Sequence, residues 1–217
     1  MSKLWIFGDS YSEPFTQVSG GIHLGWKKNY IKFLGHIPKV FGDIVAEELN
    51  LELVNTNLKG EPSDNTIILS RIINNIDNIK DGDVISVGWT TISRFRVANS
   101  KSRRWDVINP GHPVDNHPDM SQRTFEEIGV NRTNELYFNE LCEWTEMVEK
   151  TFKNNRVIQW TWVMHNLMKQ QTIFEDTNGL LQDYHWSEKG HQDFAKWFLN
   201  CYNNNACLDF FNKRKFI

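Results

Sequence analysis

The chain lacks any long apolar run, any CxxC pair, any glycine-rich phosphate loop and any excess of basic charge. Each absence removes a class of protein. No stretch approaches the roughly 20 apolar residues that a bilayer-spanning helix needs. The formal charge of -3 gives no electrostatic pull toward nucleic acid or anionic lipid, and the short basic group Lys101, Arg103 and Arg104 reads as a solvated loop. Three cysteines, Cys142, Cys201 and Cys207, are an odd number with no metal-type spacing, so reduced thiols are the expectation. His112 and His117 lie near Asp115 and Asp119, but at loose spacings in a polar segment, which reads as solvated rather than metal-binding. Because MSKLWIFGDS runs directly into an apolar strand, neither a signal peptide nor a membrane segment is expected. Folding in a cytosol follows from that reading, and release by lysis or carriage on a larger particle fits it equally well.

What is present is an alternation. KLWIF (Lys3 to Phe7) is an apolar run stopped by Gly8, as for a strand buried on both faces. HIPKVFGDIVAEELN (His36 to Asn50) has Val40, Ile44, Val45 and Leu49 at helical spacing, with Pro38 suited to a first turn. LELVNTN follows as a strand, then a helix over Ser63 to Ile79 capped by Ser63 or Asp64. DVISVGW (Asp83 to Trp89) is a third strand, Asn131 to Asn155 a long helix, Arg156 to Val163 a fourth strand, and Ser187 to Tyr202 a last helix. At 217 residues this is one domain, α/β in class. The expected fold is a three-layer α/β/α, flavodoxin-like, open parallel sheet of about five strands, with its site beyond the carboxyl ends of the strands. Ser93 to Arg132 breaks the alternation. It is rich in Pro, Asn, Asp and Gly without sustained period, and it reads as a lid-like insertion at about 93–132.

The stretch FGDSYS (Phe7 to Ser12) puts two small polar residues at the end of the first strand. A serine there is either an ordinary turn and cap or a nucleophile at the sheet's rim, and a nucleophile needs a histidine within reach, oriented by a carboxylate. LQDYHWSEKGHQDFA supplies Asp183 and His185 just before the last helix, with Ser187 as its cap. Asp9 then reads as the residue holding the turn, Ser12 as a helix cap and His191, inside the helix, as structural. His165 is a rival base that reads better as a satisfied histidine near the core.

These residues resemble the SGNH, or GDSL-type, hydrolases. Gly8, Asp9 and Ser10 match the family's first block, Gly60 in LKGEPSDN its second, and Asp183, His185, Gly190 and His191 its last. The resemblance runs in order from the first strand to the last helix. It implies Ser10 as nucleophile, His185 as base and Asp183 as the acid that orients it. The oxyanion hole is then built by the N–H groups of Ser10 and Gly60. Two positions depart from the family pattern. The third block, Gly-x-Asn-Asp, reads VGWTT here, so Gly88 is kept but Thr90 stands in place of the oxyanion asparagine. The acid lies two residues before the histidine rather than three, and Gln182 or a main-chain carbonyl is an alternative orienter. Thr90 is the expected third oxyanion donor, with Asn65 as a compensating one.

The activity implied is hydrolysis of a small O-acyl ester, acetyl groups on carbohydrate among them, with no metal or other cofactor. Trp89 and Asn65 are the expected substrate-binding residues. Trp105, Trp186 and Phe95 also lie in or beside the rim, where aromatic faces stack on sugars or line acyl pockets. Expected partners are a small-molecule or carbohydrate ester, with no nucleic acid and no membrane. Two other readings stay open: an inactive member that binds a carbohydrate or protein partner, and a flavodoxin-like nucleotide binder using GDSYS as an anion-binding turn.

Overall fold

The run Lys3–Phe7 forms strand β1, whose residues are almost all buried, as a run apolar on both faces requires. In the computed structural model, which describes residues 1–15, 24–57, 63–92, 94–108, 121, 123–124, 127–128, 135–161 and 186–204, β1 pairs in parallel with two neighbours. These are β2 (Glu52–Asn55) and β3 (Val84–Trp89), and β3 pairs in parallel with β6 (Arg156–Thr161), giving the order β2-β1-β3-β6. The helices among the described residues are α1 (Leu24–Leu34), α2 (Phe41–Glu48), α3 (Asn65–Asn75), α4 (Glu135–Thr151) and α5 (Glu188–Asn204).

Side-chain alternation along β1 divides the core. Leu4 and Ile6 pack with Phe41 and Val45 of α2 and Phe194, Ala195 and Phe198 of α5. Trp5 and Phe7 pack on the other side, with Ile68 and Ile72 of α3 and Leu141 and Val148 of α4. Among the described residues, helices therefore cover both faces of a parallel sheet of four strands, where about five were expected, an α/β architecture compatible with three layers. Each large apolar side chain removed from water here contributes about 1.5–3 kcal/mol.

The amino-terminal end of the sheet is tied by one carboxylate. Asp83, 3 % exposed, accepts from Lys3 N at 2.8 Å, Trp5 Nε1 at 2.9 Å and Lys80 N at 3.0 Å. Asn155 Nδ2 donates to the Asp83 carbonyl at 3.1 Å, joining β6 to the same corner.

Several elements depart from the sequence reading. α2 begins at Phe41, so Pro38 precedes the helix. Its first turn is closed instead by Asp43, whose Oδ2 accepts from Val40 N at 3.0 Å. α1 has no counterpart among the expected elements. It ends at Gly35, which adopts φ 76 while its N–H reaches Ile31 O. The expectation that 93–132 has no regular structure is overturned by an antiparallel pair, β4 (Phe95–Asn99) and β5 (Arg104–Ile108). Its turn is built by Asn99, whose Oδ1 accepts from Lys101 N and Ser102 N, both at 3.0 Å, and Phe95 and Ile108 form a small core of their own. Cys201 is disulfide-bonded, which corrects the expectation of reduced thiols for that residue; Cys142 is free. Among the described residues no helix is long and apolar enough to cross a membrane.

Candidate active site

The turn after β1 is shaped by three local features. Asp9 is the cap of a 3₁₀ turn, Ser10–Ser12, its Oδ1 accepting from Tyr11 N at 3.1 Å, as expected of a turn-holding residue. Gly8 donates its N–H to Asn57 Oδ1 at 2.9 Å, extending the β1–β2 ladder by one side-chain bond. A Cβ built on Gly8 would lie 2.3 Å from Ser12 Oγ and 3.2 Å from Ser12 Cβ, so the serine-bearing turn folds down onto a position that only glycine leaves open. Ser12 is thereby fully buried inside the turn, its Oγ without a partner, which corrects its reading as a cap. Ser10 is the serine left partly exposed.

Gly8→Ala is therefore expected to cost about 1–3 kcal/mol by overpacking. Adding Ser12→Ala, which removes the nearer of the two clashing atoms, recovers part of that loss. Denaturant midpoints of the two single variants and the double variant check this, the expected result being a non-additive cycle.

Two arginines reach the same turn. Arg71 of α3 donates from Nη1 to Gly8 O at 3.2 Å and to Asn57 Oδ1 at 3.3 Å. Arg94, between β3 and β4, places its Nη1 3.4 Å from Asp9 Oδ2 and 3.3 Å from Ser63 O. Since Oδ1 of Asn57 faces two donors, its amide orientation is fixed, and its Nδ2 is buried without a partner. None of Asn57, Arg71 and Arg94 stood out in the sequence. No local spacing links them, and only the β2-β1-β3 order brings them together.

At the carboxyl end of β3, Thr90 is 2 % exposed. Asn65 grips its main chain, Oδ1 accepting from Thr90 N at 2.8 Å and Nδ2 donating to Thr90 O at 3.0 Å. Asn65 thus holds the β3 terminus with its amide oxygen and one of its two amide N–H groups. The Thr90 hydroxyl is buried without a hydrogen-bond partner, a condition that costs stability unless something occupies it.

Gly88 is needed for packing: a Cβ there would come within 2.4 Å of the Trp160 ring. Trp160 in turn donates Nε1 to Ser86 Oγ at 3.0 Å. Trp89, expected at the rim as a substrate contact, is 0 % exposed. It belongs to the core under α3 and α4, with Nε1 bonded to Gln159 Oε1 at 2.9 Å. Strand alternation turns it away from the face that carries Gly88, and that expectation is corrected.

Gly60, Asp183 and His185 lie outside the described residues, as do Gln182, His112, His117, Asp115, Asp119 and His165. The start of α5, just after His185 in sequence, is well anchored. Ser187 caps it, Oγ accepting from Gly190 N at 3.0 Å. Glu188 N donates to Tyr30 OH at 2.8 Å, and His36 Nε2 meets Glu188 Oε1 at 2.9 Å. Hydrogen bonding to that carboxylate raises the His36 pKa, and burial raises that of Tyr30. Trp186 is buried, its ring edge-to-face with Tyr11 at 5.3 Å. His191 is 3 % exposed, stacks on Phe41 and accepts from Phe41 N at 3.4 Å. It is the structural histidine the sequence suggested.

Tyr11 N, one of the N–H groups of this turn, is engaged by the Asp9 carboxylate and is not open to the anion that the nucleotide-binding alternative requires. Among the described residues, no group of three or more His, Cys, Asp or Glu converges as a metal-binding cluster. No protein-family model, curated protein or solved structure matches the chain.

Proposed function

We propose that the chain is a serine esterase of the SGNH type, acting on a small O-acyl ester, with acetylated carbohydrate as the substrate class to try first. The observation that carries this reading is the contact between Tyr11 and Trp186, ring centroids 5.3 Å apart. Tyr11 follows Ser10 and Trp186 follows His185 in the chain, and consecutive Cα atoms are about 3.8 Å apart. The chain neighbours of the proposed nucleophile and base thus pack together, within the core cluster that Phe41 of α2 and Phe194 of α5 share. The strand order β2-β1-β3-β6 supports the same reading, since it is that of the flavodoxin-like sheet in which sites lie beyond the strands' carboxyl ends.

In this mechanism His185 takes the proton from Ser10 Oγ as it attacks the ester carbonyl, and Asp183 stabilises the imidazolium that forms. The tetrahedral oxyanion is held by the N–H groups of Ser10 and Gly60, with the Thr90 hydroxyl as third donor. Protonation by His185 releases the alcohol. Water, activated by the same base, then cleaves the acyl-enzyme.

The test is turnover of an aryl acetate and of an acetylated sugar by the purified protein. Acetate release above the uncatalysed rate is expected, and none at any pH between 6 and 9 would remove the esterase reading. A second reading, binding of an ester or glycan without turnover, has one observation in its favour. Asn65, the asparagine nearest the vacated family position, has its amide engaged by the Thr90 main chain.

Thr90→Val discriminates within the esterase reading. It keeps the β-branched shape but removes the hydroxyl, so turnover is expected to fall about 100- to 1000-fold, the usual loss for one oxyanion donor. Because that hydroxyl has no partner in the resting protein, the thermal midpoint is expected to hold or rise slightly. Unchanged kcat would exclude Thr90 as a donor.

A further inference from the structure

We propose that Arg94 is a positioning residue for the nucleophile turn, acting through Asp9; the catalytic meaning of this role rests on the esterase reading above. Arg94 comes from the connection between β3 and β4, and its side chain is 17 % exposed, while that of Asp9 is 2 % exposed. One nitrogen, Nη1, faces both Asp9 Oδ2 at 3.4 Å and Ser63 O at 3.3 Å. Three separate segments of the rim therefore converge on a single guanidinium: the Ser10 turn, the turn that enters α3, and the base of the β4–β5 hairpin.

The two oxygens of Asp9 divide the work. Oδ1 closes the Ser10–Ser12 turn by accepting from Tyr11 N, and Oδ2 faces the arginine. A buried carboxylate keeps a fixed orientation when both oxygens are engaged, and a charge-assisted contact is the stronger kind of restraint. Removing the guanidinium takes the ion pair away from Oδ2 and loosens the carboxylate that caps the turn through Tyr11 N, and with it the direction of the Ser10 N–H and Oγ. Ser63 O, on the other side of the same nitrogen, adjoins Asp64, whose Oδ1 caps α3 at Ile67 N, 2.8 Å. The arginine so sets the spacing between the serine turn and the segment that leads into α3. Displacements of about 1 Å at such a point cost about 100-fold in rate. The effect falls on kcat and not KM, because Arg94 touches the turn and not the acyl group.

The experiment compares the parent with Arg94→Met, which keeps the length and apolar stem of the side chain, and with Arg94→Lys, which restores a charged donor. Three readouts are taken: kcat and KM on an aryl acetate, the rate of Ser10 modification by a fluorophosphonate, and hydrogen exchange of peptides covering residues 8–13. For Arg94→Met the expected result is a fall of about 100-fold in kcat and in modification rate with KM within about threefold. Exchange is expected to quicken in the 8–13 peptides and not in those from β3 and β6, and Arg94→Lys to recover to within about tenfold of the parent. Parent-like rates and exchange in Arg94→Met would overturn the proposal, and so would exchange that quickens equally across the sheet. If the parent itself neither turns over nor reacts, the nucleophile assignment of Ser10 fails. The exchange pattern then decides alone whether Arg94 holds the turn.

Discussion

Ser10→Ala is expected to lower ester turnover by at least about 1000-fold while leaving the fold intact. The size follows from what is removed: without Oγ no acyl-enzyme forms, and what remains is the modest acceleration supplied by binding and the oxyanion donors. The fold is spared because the turn depends on Asp9, Gly8 and the main chain. Asp9 caps it through Tyr11 N, and Ser12 N bonds to Asp9 O at 3.0 Å. Ser12→Ala is the control, since Ser12 is sealed beneath the turn with its Oγ unpartnered. Steady-state rates on an aryl acetate, with thermal midpoints in parallel, check the pair. A Ser10→Ala protein that retains its turnover would place the chemistry elsewhere.

The largest loss of stability is expected from Asp83→Ala, about 3 kcal/mol. The carboxylate joins β1, β3 and the loop before β3 through three donors that sit 80 and 78 residues away in the case of Lys3 and Trp5 and three away in the case of Lys80. Its loss leaves a tryptophan N–H and two main-chain N–H groups without their acceptor at a buried corner. For a chain of this size the thermal midpoint should fall by roughly 6–12 °C. Asp83→Asn does not rescue it fully. The Oδ2 atom accepts twice and Oδ1 once, and an amide has only one oxygen to offer.

Asp83 also gives the protein a defined acid dependence. Burial alone would push its carboxyl up, but hydrogen bonds from Lys80 N, Trp5 Nε1 and Lys3 N, with the Lys3 charge, bring it below the ordinary value. A carboxyl whose pKa is lower folded than unfolded contributes stability that is fully present above the unfolded value and is lost as pH falls through the folded one. Stability should therefore decline below about pH 4, and the decline should be shallower in Asp83→Asn. Denaturant titrations at stepped pH measure both slopes.

Much of the fold could be read from the chain because its central strands announce themselves. KLWIF, DVISVG and RVIQW are apolar on both faces, as strands covered by helices on two sides must be. The β4–β5 hairpin was hidden because each strand is five residues long and mixes Arg, Asn and Asp with its apolar positions. Only the Asn99 turn and the Phe95 and Ile108 pairing make it a hairpin, and the second of these is a contact 13 positions apart in sequence. α1 was missed although Gly35 supplies a stop signal just past its end. The site divides the same way. Ser10 and Thr90 carry local signatures, a serine after a strand and a broken block. Trp89 misled because proximity to the rim in sequence says nothing of which sheet face a side chain takes. Asn57, Arg71 and Arg94 left no local trace, since their partners Gly8 and Asp9 lie 49 or more positions away, in the turn after β1.

The most direct test of the central claim is mass spectrometry of the protein after incubation with excess fluorophosphonate. The account requires one adduct per chain, mapped to Ser10 and absent from Ser10→Ala. An unmodified protein, or an adduct on any other residue, would contradict it.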